Sequence, residues 1–122
     1  MKYLFPVPIA IVLCLACWTS VAAGSPNETV LRTTLDRKAW PPQRDGRAIL
    51  ALTPIRILLG RFDEVQPHRV IIRYPGGDLG NAWGLELRDW LVALGVPLER
   101  LVLEPGSGAS DQVVLILQKV GD

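Results

Sequence analysis

The sequence is poor in the residues that carry chemistry. Of 122 residues, two are cysteine and one is histidine. Both cysteines, Cys14 and Cys17, fall in the N-terminal stretch, so the rest of the chain has no disulfide framework and no thiol nucleophile. A lone imidazole, His68, makes no zinc site without partners of its kind and reads as a polar loop residue. No Gly-x-Gly-x-x-Gly string or P-loop occurs, so no nucleotide cofactor is implied. Ser107 stands in Gly-Ser-Gly rather than in the Gly-x-Ser-x-Gly of a nucleophile elbow. Charge of one sign is lacking too. Lys plus Arg total 13 against 12 for Asp plus Glu, and without Lys2 the balance is even. That argues against nucleic acid or another polyanion as the partner. The composition is not that of a histone, a collagen, a disordered chain or a multi-span membrane protein. With no nucleophile–base pair in view, neither catalysis, nor a metal, nor a cofactor is expected.

The N-terminal stretch reads as an address. Lys2 supplies a positive start, Ile9 to Trp18 a short apolar run, and Val21-Ala22-Ala23 small residues before Gly24. This is the pattern of a cleaved secretory signal over residues 1–23. The apolar run is shorter than the roughly 20 residues of a bilayer span, and Pro6 and Pro8 interrupt its start. An uncleaved anchor, or a lipoprotein acylated at Cys17, are the alternatives. Export places the protein in the periplasm.

Residues 24–44 form an N-terminal extension, in which Gly24 to Asn27 reads as a flexible tail, Val30 to Leu35 as a short strand and Trp40-Pro41-Pro42-Gln43 as a breaker. Residues 45–122 form one small domain. Ala48, Leu52, Ile55, Leu59 and Phe62 share a helical face. Pro54 inside that run is accommodated if Thr53 caps and Pro54 takes the first helical position, leaving Asp45 to Leu52 as a separate turn or kinked segment. Arg69 to Tyr74 is a β-branched strand with Val70 and Ile72 on one face and Ile71 and Arg73 on the other. Trp83, Leu87, Trp90, Leu91 and Leu94 mark a second helix, capped by Asp78 or Asn81 and stopped by Gly95. Leu101 to Leu103 is a short strand. Gln112 to Gln118 is a continuously apolar and hence central one. The expected fold is a two-layer α/β (α+β) domain in β-α-β-α-β-β order. A small mixed sheet of three to four strands carries two helices on one face. Trp83, Trp90, Leu87, Leu91, Ile71 and Val114 are expected in one core. The rival reading of the two tryptophans is an aromatic wall for a sugar or peptide.

Several strings carry a resemblance. Leu52-Thr53-Pro54 opens a helix, and a buried strand follows. A Gly- and Asp-containing turn leads into a helix with Glu86-Leu87-Arg88. Leu94-Gly95-Val96 and Glu99-Arg100-Leu101 close it, and Asp111-Gln112-Val113-Val114 begins the last strand. Over about residues 45–118 this resembles the periplasmic OmpA-like domain, which grips peptidoglycan. The resemblance implies that a turn Asp and a helix Arg hold the two ends of a diaminopimelate-type stem peptide. The positions in this chain are Asp78 and Arg88, with Asn81 and Gly77 beside them. The chain departs from the family where Gly-His-Thr-Asp is usual, reading Tyr74-Pro75-Gly76-Gly77-Asp78. It also lacks the Leu-Ser step and has Asp89 where Ala is common.

The implied function is that of an exported, non-catalytic envelope protein associated with peptidoglycan. The alternative is an interaction module for other envelope proteins in which the ligand site is lost. Each residue also has a plainer role. Arg88 lies about 115° from the centre of the apolar face and suits a solvated flank. No intrahelical ion pair is expected for it, because Glu86 and Asp89 are not three or four positions away. Asp78 suits a helix cap. Gly76 and Gly77 suit a turn needing positive φ or an anion-binding helix start.

Overall fold

A computed structural model describes residues 27–62 and 67–121. The expected signal segment, its alternatives and the tail up to Pro26 lie outside the described residues.

The chain runs β1 (Asn27–Asp36), a 3₁₀ turn (Arg37–Ala39), α1 (Gly46–Leu50), α2 (Thr53–Arg61), β2 (His68–Tyr74) and α3 (Gly77–Ala93). A second 3₁₀ turn (Leu98–Arg100), β3 (Leu101–Pro105) and β4 (Gln112–Val120) complete it. The sheet order is β1-β4-β2-β3. β4 lies centrally, antiparallel to both β1 and β2, while β2 and β3 are parallel and joined through α3. This is the small mixed sheet with helices expected from the pattern, with four strands. The first helical region is divided in two. The sequence pattern places β1 in an extension, yet β1 pairs with β4 from Asn27↔Val120 to Asp36↔Gln112. The boundary at residue 45 therefore does not separate it from the sheet.

Period-two alternation decides which side chains meet the helices. Leu35, Val70, Ile72, Val113, Leu115 and Leu117 are buried with Ile49, Ile55, Leu58, Trp83, Leu87 and Leu91 in one cluster. Ile71, Val114 and Ile116 form a second cluster with Val102 on the opposite side of the sheet. The expectation of a single core is thus corrected. Ile71 and Val114 have the wrong strand parity to reach α3. Trp90 is only half-buried. His68 shares parity with Val70 and Ile72, so it is a buried strand residue rather than a loop residue. Its carbonyl accepts from Arg100 Nη1 at 2.9 Å.

The helix ends follow local chemistry with two corrections. Asp45 caps α1 by accepting from the Ala48 N–H at 2.7 Å. In α2 the cap is Leu52, and Thr53 is already helical. Leu52 makes no side-chain cap and packs against the core. Because α1 and α2 are separate helices, one helical period does not run through both. Ile49 is the buried residue of α1, where the pattern pointed to Ala48. α3 begins at Gly77 after Gly76, and neither Asp78 nor Asn81 caps it. At its other end Gly95 takes φ +110. There Gly95 N–H donates to Val92 O and Val96 N–H to Leu91 O. This is a Schellman stop that buries Val96.

Candidate functional site

The structure places all four sequence-derived site residues on α3. Gly77 opens the helix with φ +87, a conformation that side chains resist, so the glycine there is explained by backbone geometry. Asp78 lies exposed in the first turn, where its charge complements the helix dipole. Asn81 is exposed one turn on. Arg88 is ten residues beyond Asp78 in the same helix. At about 1.5 Å of rise per residue, that is roughly 15 Å along the axis. Gly77, Asp78 and Asn81 are brought together, and Arg88 is not. Arg88 also has a partner. Its Nε and an Nη both donate to Asp89 Oδ1 at 3.1 Å. That corrects the expectation of no intrahelical pair. Neighbouring Cβ atoms do not face each other, but a long guanidinium side chain can fold back to the adjacent carboxylate.

A different constellation forms where the connector after β1 lies against α3. Arg37 N–H donates to Asp111 O at 2.8 Å, which fixes the connector to the start of β4. The Arg37 guanidinium stacks on the Trp83 ring at 4.4 Å. Trp40 meets Trp83 at 6.0 Å between ring centroids, tilted by 59°. The Arg44 guanidinium lies 5.4 Å from the Trp40 ring. It also forks onto Glu86, with one Nη on Oε1 at 2.8 Å and Nε against Oε2. Such guanidinium–aromatic contacts are worth roughly 0.5–1 kcal/mol each where exposed. Together they tie the connector to the helix.

Two adjoining hollows result, with Arg44 and Glu86 lining both. One, of about 260 Å³, is lined by Arg37, Trp40, Leu79, Ala82 and Trp83 besides that pair. The other, of about 460 Å³, is lined by Pro42, Asp89, Trp90 and Ala93. Trp40, Trp83 and Trp90 are the tryptophans of the described residues, and all three line these hollows. Trp83 is 96% buried by its 4% exposure, and its Nε1 has no hydrogen-bond partner. Leu79, at 79% exposure, is the most exposed large apolar side chain described.

Sequence reasoning missed this face, although it leaves a trace. Leu79, Ala82, Glu86, Asp89 and Ala93 recur at steps of three, four, three and four, which is one helical stripe. That stripe mixes small, acidic and apolar residues, so it is hidden beside the stronger stripe through Leu87 and Leu91. Arg37 and Arg44 come from a distant stretch that carries no helical period.

Among the described residues no group of three or more His, Cys, Asp or Glu could hold a metal ion. No described helix is long and apolar enough to cross a membrane. The sequence matches no protein-family model and no curated protein.

Proposed function

We propose that this chain is an exported, non-catalytic binding protein of the cell envelope. The N-terminal signal pattern supports the location. The paired hollows along α3 carry the binding reading. They are open and aromatic, with a few fixed charges, and no nucleophile stands beside a base within them. The OmpA-like resemblance makes peptidoglycan one ligand to consider, through Asp78 and Arg88. The roughly 15 Å between those positions on one helix favours the second reading, an interaction module for another envelope protein.

Fractionation with intact-mass measurement, followed by co-sedimentation with purified peptidoglycan, tests this. The protein is expected in the periplasmic fraction, shortened by the 23 residues up to Ala23. Asp78→Ala and Arg88→Ala are expected to leave sedimentation as it is in the parent. A cytosolic protein of full mass would overturn export. A ten-fold or greater loss in both variants would restore the peptidoglycan reading at those two residues.

A further inference from the structure

We infer that the double hollow on α3 takes an extended peptide segment of a partner protein. The segment carries a carboxylate and a basic side chain about three residues apart, the carboxylate on Arg37 and the cation on Asp89. The inference rests on the binding-module reading above and assigns the ligand chemistry.

The polarity comes from the groups that remain available. Arg37 stacks on Trp83 but has no carboxylate partner among the described residues, so its N–H donors are free to fork onto an incoming one. Its backbone is held by Asp111, and its guanidinium rests on a buried ring, so little ordering remains to be lost on binding. At the other end, both Arg88 contacts fall on Asp89 Oδ1. Oδ2 accepts no hydrogen bond from a described residue, and the Asp89 side chain is 69% exposed. An exposed pair of that kind is worth about 0–1 kcal/mol, so Asp89 can accept a second cation at small cost. Between the two ends Arg44 and Glu86 neutralise each other. The smaller hollow therefore carries a net positive charge, and the larger keeps Asp89 Oδ2 as an open acceptor beside the Arg88 pair.

The spacing comes from the helix. Arg37 sits over Trp83, six residues before Asp89, which is about 9 Å along α3. Three residues of an extended polyproline II segment cover about 9 Å and bring the first and fourth side chains to the same face. The apolar lining contributed by Trp40, Trp90, Pro42 and the exposed Leu79 suits the side chains flanking the charged pair. It also suits an extended backbone lying across aromatic rings.

Fluorescence anisotropy with dye-labelled nine-residue peptides tests the inference on the purified chain. One peptide carries Lys-x-x-Asp, a second Asp-x-x-Lys, a third Gln-x-x-Asn, and a fourth places Lys and Asp side by side. One of the first two is expected to bind at least ten-fold more tightly than the third and fourth. Arg37→Gln should remove the preference for Asp over Asn, and Asp89→Asn the preference for Lys over Gln. Both residues are exposed, so Asp89→Asn should leave the circular dichroism melt unchanged, and Arg37→Gln should lower it by only a few degrees through loss of the Trp83 contact. Arg37→Glu should prefer Lys-x-x-Lys, a reversal that general loss of structure cannot produce. Equal binding of charged and neutral peptides within three-fold overturns the inference, as does a preference that survives both variants. Binding of peptidoglycan that is lost in Arg37→Gln also overturns it, by assigning the hollow to a glycan-linked ligand. Export is measured separately by fractionation. An exported chain indifferent to peptide charge therefore refutes this inference and leaves the envelope reading standing.

Discussion

Gly80→Ala is expected to lower stability by about 3 kcal/mol, the upper end for overpacking a close-packed site. Helix propensity alone would favour alanine by about 1 kcal/mol. Position 80 reverses that sign because a Cβ there would lie 1.9 Å from Pro75 O and 2.5 Å from Pro75 C. These are backbone atoms at the turn that leads from β2 into α3, so no rotamer change relieves the contact. α3 would have to move off the sheet, disturbing Trp83 and Leu87 in the core. Gly60→Ala in α2 is the control, because a Cβ there meets nothing within 4 Å. It should stabilise by about 0.5–1 kcal/mol. Urea denaturation followed by circular dichroism measures both. Equal effects of the same sign would show that α3 does not pack on the Pro75 turn as described.

Leu91→Ala should cost about 2–5 kcal/mol, the range for truncating a fully buried leucine. Leu91 has 0% exposure and lies in the main cluster with Leu87, Val96 and the core face of β2 and β4. It occupies the last turn before the Schellman stop, where Val96 folds back over the helix end. The cavity is therefore bounded by a fixed backbone hydrogen bond, Val96 N–H to Leu91 O at 2.9 Å, and has little freedom to collapse. Leu85→Ala, on the exposed side of the same helix, should stay within about 0.5 kcal/mol. A loss below that figure at Leu91 would mean that the buried face of α3 is assigned wrongly.

The sequence alone determined the features whose causes are local. Element order followed from runs of period two and of period 3.6. The split of β2 into Val70 and Ile72 against Ile71 followed from strand parity. The central place of β4 followed from its unbroken apolar run. The end of α3 followed from Gly95, since a C-terminal stop needs the positive φ that glycine supplies without a Cβ. Tertiary structure decided what depends on distant partners. Leu52, not Thr53, occupies the extended N-cap position of α2, where its side chain packs against the core and makes no capping hydrogen bond. Ile71 and Val114 leave the main core because a sheet has two sides and the alternation does not say which one the helices cover. The plausible pair Asp78 and Arg88 came apart because both residues entered one continuous helix, and ten residues of helix cannot be folded into a small cleft. The α3 hollows became visible only when Arg44 met Glu86 across 42 positions of sequence and Arg37 reached Trp83. Those contacts join an aperiodic connector to a mixed helical stripe, and no local pattern records a meeting between segments so far apart.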